Sequence, residues 1–292
     1  MKKIIFILTL FLYSAGYCQN SPMLSQYMFN RLILNPAYAG SNEHLSLSIL
    51  NRSQWMGINK APNTQLISLD ALAGKNVGLG LNFVKDHTGV TNQTDVLGSL
   101  SYRVGGTGFS FGLRGGFAYY QANLSNAFVW DPTDPVFSTN TKSTLLPKFG
   151  FGMYYSNGLF YAGLSAPDLL VYDQNKLFTS PDGKVSSLKK NYILTGGYTY
   201  LLNEKIEIEP SMLVKYHPTS PLAVNLNCNV KFSEKFLAGI SYRMNTALTG
   251  LVQIKIMEKV KAGYAFDIYQ PNIKLSYLGT HELMLSYNLG IE

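Results

Sequence analysis

The sequence predicts an all-β fold, a transmembrane, antiparallel up-and-down β-barrel of about 14 strands with an N-terminal plug or lead-in segment. The first observation is composition: hydrophobic residues make up 46% of the 292 residues, whereas charged residues make up only 14%. The second is that apolar and polar residues alternate in run after run along the chain. The third is that short and long connections alternate between these runs. Together these features are typical of a barrel that turns every second residue towards lipid.

The first 18 residues predict a secretory signal peptide. Lys2 and Lys3 precede an uncharged apolar run over residues 4–13, and small residues follow at 14–16. We expect cleavage before Gln19, with cleavage after residue 16 as the alternative. The apolar run is shorter than the roughly 20 residues that a spanning helix needs, which disfavours a retained anchor. Cys228 is then the one cysteine left, so the exported chain has no intrachain disulfide.

The alternation has a period of two residues, which indicates β-strands with one apolar and one polar face. Phe109, Phe111 and Leu113, for example, alternate with Ser110 and Arg114. The same pattern predicts fourteen strands, at residues 44–55, 64–73, 76–85, 92–104, 108–121, 146–156, 159–165, 191–202, 205–217, 221–232, 235–244, 247–257, 259–269 and 281–290.

The connections predict how the barrel lies in the membrane. Every even-numbered connection is a tight turn, whereas the odd-numbered ones include the long loops 122–145, 166–190 and 270–280. Outer-membrane barrels have short periplasmic turns and longer outer loops, so we expect both termini in the periplasm. Residues 19–43 are then a periplasmic or plug segment, and residues 44–292 form the barrel.

The polar parity of the strands holds the candidate lumen charges. A β-sandwich is the competing fold, because its strands would also alternate. In a barrel, a Lys or Arg on the lipid face costs roughly 2–4 kcal/mol at the midplane, so charged residues are expected on the inner parity. Glu207 and Glu209 share one strand and invite an interpretation as paired acids, although an interior salt-bridge network is favoured. The candidate lumen charges are Arg114, Glu207, Glu209, Lys215, Arg243 and Lys255.

Catalytic and metal motifs find little support. Ser110 lies in a G-x-S-x-G pattern, but it falls within a predicted strand and not at the strand-to-helix turn that a hydrolase needs. His44, His87, His217 and His281 stand singly, and Asp131 and Asp134 lie between prolines in a predicted rigid turn. We therefore expect no enzyme activity, no metal and no cofactor. The charge of +7 is spread along the chain, which does not indicate a nucleic-acid partner.

The stretch 26–40, QYMFNRLILNPAYAG, does not alternate and ends in a strong turn signal at Asn35 and Pro36. We expect it to form a plug, with partner docking as the alternative. The candidate plug or partner contacts are Tyr27, Phe29, Asn35, Pro36, Tyr38 and Gly40, together with Trp55.

A family resemblance begins in three stretches of the chain and continues through LPKFGFGMYYSN to GTHELMLSYN. The three stretches are QYMFNRLILNPAYAG, NRSQWMGINKAPNTQLISLDA and KNVGLGLNFVKDHTGVTNQTDVLGSLSYR. The mature chain resembles the PorP/SprF family of type IX secretion system outer-membrane proteins. The resemblance implies a Bacteroidetes-type bacterium and the export of proteins such as surface adhesins, in gliding members for motility. It also implies three partners besides the lipid bilayer: a periplasmic ring lipoprotein, a peptidoglycan-binding lipoprotein and the C-terminal domains of cargo proteins.

Two functions follow as hypotheses. The first is a non-enzymatic barrel that supports secretion or surface delivery of cargo. The second is an outer-membrane channel for small hydrophobic or polar solutes, because a barrel of this width can enclose a lumen.

Overall fold

The fold is that of a computed structural model, which describes residues 23–42, 44–126, 140–141, 143–170, 191–218, 220–233, 235–269 and 278–290. Its strands are β1 (Leu45–Ser53), β2 (Asn63–Ala73), β3 (Val77–Thr88), β4 (Thr91–Arg103), β5 (Phe109–Ala122), β6 (Thr144–Ser156), β7 (Phe160–Ala166), β8 (Tyr192–Tyr198), β9 (Tyr200–Asn203), β10 (Ile206–His217), β11 (Ser220–Phe232), β12 (Phe236–Arg243), β13 (Ala247–Met257), β14 (Val260–Tyr269) and β15 (Thr280–Leu289). A short 3-10 helix, η4 (Leu124–Asn126), follows β5.

These fifteen segments make fourteen barrel strands, which confirms the predicted fold class. β8 and β9 are two halves of one strand, since both pair with β10 and only Thr199 separates them. The break lies opposite Glu209 and Pro210 of β10, where proline has no N–H to offer the ladder. On the other side, the backbone N–H of Thr199 still donates to the carbonyl of Leu159, 2.7 Å away. The predicted strand at 191–202 is therefore interrupted at this one residue.

The strand ends agree with the predictions to within two residues, except at the end of β3. There the predicted end at residue 85 is wrong, because β3 continues to Thr88. Thr88 is paired with Thr91 of β4, which leaves Gly89 and Val90 as the turn. Gly89 has a φ of +63°, a conformation that glycine adopts without steric cost.

Neighbouring strands are antiparallel throughout, and the sheet closes because β1 pairs with β15. The closing ladder runs from Leu45 opposite Leu289 to Ser53 opposite His281. Closure matters in a bilayer, because an unpaired strand edge would leave backbone N–H and C=O groups without hydrogen-bond partners.

The two faces of the sheet differ as the alternation predicts. On β5, Leu113 is 65% exposed on the outer face, whereas Arg114 is 4% exposed on the inner face. Apolar side chains form the outer surface, and most of the buried polar side chains lie on the inner parity of the strands. No helix in the described part of the chain is long and apolar enough to cross a membrane.

The N-terminal lead-in consists of three 3-10 helices, η1 (Tyr27–Phe29), η2 (Arg31–Ile33) and η3 (Pro36–Tyr38). The Asn35 side chain starts η3 by accepting a hydrogen bond from the backbone N–H of Ala37, 2.9 Å away. The lead-in is buried inside the barrel, where its side chains form an apolar cluster with inward residues of the wall. The buried members of this cluster are Leu24, Tyr27, Met28, Leu50, Leu66, Ile193, Leu213, Leu237, Leu251, Ala265 and Met284.

We predict that Leu113→Lys, on the outer face of β5, lowers the free energy of unfolding by about 2–4 kcal/mol, because it places a cation in hydrocarbon near the midplane. The measurement is urea-dependent unfolding in lipid vesicles. Leu248→Lys is the matched control: Leu248 is also exposed but lies at the start of β13, near the rim, where the cost falls to about 0–1 kcal/mol. Equal losses in the two variants would contradict the assignment of the lipid-facing belt.

Candidate functional site

The candidate site is the interior of the barrel with residues 23–40, here called the lumen segment. The long-loop end of the barrel is the rim with connections 54–62, 123–143, 167–191 and 270–279. The short-turn end is the opposite rim, with turns such as 74–76 and 104–108. Ser25 contacts residues near the long-loop end, whereas Gly40 contacts residues near the short-turn end. The lumen segment therefore crosses the barrel from one end to the other.

Three buried charged residues of the wall, Arg52, Asp267 and Glu282, bind the first residues of the segment. Together with Ser25 and Gln26 they form a group that we call the long-loop cluster. Arg52 forms ion pairs with Asp267 at 2.6 Å and with Glu282 at 3.0 Å. The Glu282 carboxylate accepts from the backbone N–H groups of Ser25, at 2.8 Å, and of Gln26, at 2.7 Å. The wall thus holds the main chain of the segment through a charged group that is itself paired.

The hydroxyl of Ser25 lies at the centre of the long-loop cluster. It accepts from Arg52 at 2.7 Å and lies within hydrogen-bond distance of both Asp267 oxygens, at 2.7 and 2.9 Å. Thr249 also donates to Asp267, at 2.7 Å, and Arg243 lies 4.0 Å from it. Two arginines and two carboxylates therefore balance their charges, as buried ions must.

The middle of the segment is held by its side chains. Asn30 donates to Ser48 at 2.9 Å and accepts from Ser68 at 3.2 Å, so one amide bridges β1 and β2. The Tyr27 hydroxyl accepts from Asn227 on the opposite wall. These contacts fix the segment against both sides of the lumen.

Arg31 lies among three tyrosines. Its guanidinium stacks over the Tyr161 ring, 3.7 Å from the centroid, and lies 5.8 Å from the Tyr38 centroid. It also donates to the Tyr154 hydroxyl at 3.3 Å. Aromatic faces attract a cation that has lost most of its water, so these rings stabilise Arg31 inside the barrel.

The second half of the segment is held by its backbone carbonyls. Arg114 donates to the carbonyl of Ile33 at 2.9 Å and also to that of Leu32. Inward serines and one further arginine donate to four more carbonyls. Ser165 donates to Leu34 at 2.7 Å, Ser110 to Ala37 at 2.8 Å, Ser101 to Ala39 at 2.6 Å, and Arg103 to Gly40.

Gly40 ends the segment at the short-turn end. Its φ is +69°, and its backbone N–H donates to the carboxylate of Asp70. A Cβ at this position would come within 2.7 Å of the Gly78 Cα. Both the left-handed backbone and the close approach therefore require glycine here.

Glycines in the wall give the segment room. A Cβ on Gly78 would overlap the Ala39 carbonyl, one on Gly112 the backbone of Ala37, and one on Gly152 the Asn35 side chain. At the long-loop end, a Cβ on Gly263 would overlap the side chain of Gln26. The segment lies against these inward glycines, which we call the glycine floor.

The structure brings most of the predicted contact residues together. Tyr27, Asn35, Pro36 and Gly40 are buried in the lumen, and Phe29 and Tyr38 are half-buried there. Asn35 also donates to the carbonyl of Met153 at 2.9 Å.

Trp55 lies apart from the lumen segment, in the β1–β2 connection at the long-loop end. Its backbone N–H donates to the Thr280 hydroxyl at 3.2 Å, and its ring meets that of Tyr269 edge-on with centroids 6.2 Å apart.

The candidate lumen charges do not share one environment. Arg114 and Arg243 face the lumen segment and the long-loop cluster, as described above. Glu207 pairs with Lys231 at 3.1 Å, and half-buried Glu209 lines a cavity of about 80 Å³ together with Arg31. Lys215 is buried in the wall. Lys255 lies near the short-turn end, 2.7 Å from Glu258, and this hydrogen bond lowers the pKa of the Glu258 carboxyl.

Sequence reasoning missed Ser25, Gln26, Arg31 and Arg52 as site residues. A signal for Arg52 existed, because it shares the inner parity of β1 with buried Ser48 and Leu50. Asp267 and Glu282 also lie on polar parities, but nothing in the sequence links them to Arg52, which is 215 and 230 residues away.

The candidate nucleophile Ser110 belongs to the contacts of the lumen segment. Ser110 is the second residue of β5, and its hydroxyl donates to the Ala37 carbonyl, so it serves the segment. Among the described residues, no group of three or more His, Cys, Asp or Glu side chains could hold a metal ion. The predicted turn at Asp131 and Asp134 lies outside the described residues.

The sequence match decides the family. The family model described as "Type IX secretion system membrane protein PorP/SprF" matches residues 17–287. This chain belongs to the PorP/SprF family. No curated protein matches the sequence.

Solved structures of outer-membrane barrels are similar to this PorP/SprF chain. Omp33 of Acinetobacter baumannii has 10% identity and a TM-score of 0.50 over 85% of this chain and 99% of that chain. The CymD monoaromatic hydrocarbon channel has 12% identity and a TM-score of 0.52 over 95% of each chain. The TodX deltaS2S3 mutant monoaromatic hydrocarbon channel has 10% identity and a TM-score of 0.50 over 89% of this chain and 94% of that chain. At these identities the likeness shows the fold alone.

We predict that Gly112→Ala displaces the lumen segment, because the new Cβ would overlap the backbone of Ala37. Overpacking of this kind costs about 1–3 kcal/mol, and it should lower the midpoint of thermal unfolding. Gly115→Ala is the matched control on the same strand, since nothing lies within 4 Å of its Cβ position. If both variants unfold at the wild-type temperature, residue 112 does not contact the segment.

We predict that Glu282→Gln destabilises the barrel by about 3–5 kcal/mol, because it leaves part of the Arg52 charge uncompensated in the interior. Chemical unfolding in lipid vesicles measures the loss. Glu258→Gln removes a carboxylate from an exposed ion pair at the rim and should leave stability unchanged. A Glu282→Gln protein as stable as wild type would refute the proposed importance of the long-loop cluster.

Proposed function

We propose that this protein is a non-enzymatic outer-membrane barrel of the type IX secretion system that supports export or surface delivery of cargo proteins such as adhesins. The single observation that carries the proposal is the family match over residues 17–287. The closed barrel with an apolar outer surface fits an outer-membrane location. In a gliding bacterium of the Bacteroidetes type, the cargo would include motility adhesins.

The lumen segment supports a plug in preference to a docking site. Its side chains and main chain face the wall, and Tyr27, Asn35 and Pro36 are buried. A partner could not reach these residues without removing the segment from the barrel. Because the segment crosses the lumen from end to end, it also weighs against an open channel for small solutes.

We propose that the short-turn end faces the periplasm. β15 runs towards this end and finishes there at Leu289, which supports a periplasmic C-terminus. The expectation for the N-terminus concerns residues outside the described part of the chain. The described chain begins near the long-loop end, at Met23 and Leu24, and reaches the short-turn end only at Gly40.

This orientation suggests where the partners would bind. The periplasmic ring lipoprotein and the peptidoglycan-binding lipoprotein would meet the turns of the short-turn end. The C-terminal domains of cargo proteins would approach from the same side, because cargo arrives in the periplasm. The lipid bilayer surrounds the belt of apolar side chains, and nucleic acid has no place in the proposal.

We predict that deletion of the gene leaves a specific set of exported proteins in the periplasm, because an outer-membrane component of their export route is lost. Quantitative mass spectrometry of surface and periplasmic fractions measures the change. Complementation with the wild-type gene and with the Gly115→Ala variant should restore export to the same level. An unchanged surface proteome in the deletion strain would overturn the proposed function.

A further inference from the structure

The wall recognises the two parts of the lumen segment in different ways. Around Ser25, Tyr27 and Asn30, the wall contacts hydroxyl and amide side chains, besides the two N–H groups that Glu282 binds. From Ile33 onwards, the hydrogen bonds from the wall go mainly to the main chain. Five carbonyls accept there, those of Ile33, Leu34, Ala37, Ala39 and Gly40, and Asp70 accepts from the Gly40 N–H.

Main-chain recognition does not depend on side-chain identity, because every residue carries the same carbonyl group. Arg114, Ser110 and Ser101 would donate equally well to another polypeptide in the same path. Asp70 accepts an N–H near the end of this path, so the ligand is recognised in one chain direction.

The glycine floor adds a size requirement. Ala37 and Ala39 are fully buried, next to Gly112 and Gly78 respectively. Tyr38, between them, is half-buried, and its ring packs edge-on against that of Tyr154 and lies near Arg31. The path therefore requires small residues at alternate positions and tolerates a large one between them.

We infer that the short-turn half of the lumen is a binding track for polypeptide main chain with small residues at alternate positions, and that residues 33–40 are its resident ligand. The ligand class is a polypeptide segment that follows the path of residues 33–40, including the 3-10 turn at Pro36–Tyr38, and enters through the short-turn end. This inference rests on the proposed function, because it names the class of ligand that a secretion barrel would accept at its periplasmic mouth.

The test uses the full chain with a protease site inserted after Asn42. The protein is purified, folded in detergent and then cut, so that the lumen segment is no longer covalently attached. A fluorescent peptide of residues 23–40 is added, and its anisotropy reports binding. The uncut protein is the control, because its tethered segment should exclude the peptide.

Two altered peptides decide the specificity. Tyr38→Phe should bind within about fivefold of the parent peptide, because it keeps the ring beside Arg31 and Tyr154, and the peptide lacks Asn42, the hydrogen-bond partner of the Tyr38 hydroxyl. Ala39→Leu should bind at least a hundredfold more weakly, because Ala39 is fully buried and its surroundings leave no room for a larger side chain. Equal binding of the two altered peptides, or no exchange in the cut protein, would overturn the inference.

The inference and the proposed function can fail separately. Peptide exchange is measured on the purified barrel, whereas export is measured in cells. Exchange with the expected specificity but normal export in the deletion strain would retain the binding track and reject the secretion role. Lost export in the deletion strain without peptide exchange in the purified barrel would retain the secretion role and reject the binding track.

Discussion

Closure of the sheet is the constraint on which the rest of the structure depends. A bilayer offers no water to backbone groups, so the strand edges at β1 and β15 must pair with each other. In small barrels the inward side chains fill the interior, but a closed sheet of fourteen strands encloses a wider space than its inward side chains can fill. The lumen segment fills this space, and its own polar groups then need partners on the wall.

The wall supplies those partners with paired charges and small hydroxyls. Arg52 is neutralised by Asp267 and Glu282, and the same carboxylates hold Ser25 and Gln26. At the other end, Arg114 and the inward serines donate to carbonyls that a 3-10 helix of three residues leaves free. Stability of the barrel and position of the segment are therefore coupled, since the same groups serve both.

Much of the fold could be predicted from the sequence, because period-two alternation reports directly which residues face lipid. Leu113 and Arg114, adjacent in sequence, lie on opposite faces as expected. The break at Thr199 could not be predicted, because only the register of the pairing with β10 places this residue opposite Glu209 and Pro210. The long-loop cluster could not be predicted either, since Arg52 and Glu282 meet only through the register of the closing ladder, where they are directly paired.

The lumen segment is held inside the barrel along its whole length. Amide hydrogen exchange of the purified protein in lipid nanodiscs tests it most directly, because an amide that is bonded or shielded from water exchanges slowly. Peptides covering residues 24–40 are expected to take up deuterium as slowly as those from β1 and β5. Complete exchange of residues 24–40 within seconds, with the strands still protected, would contradict it.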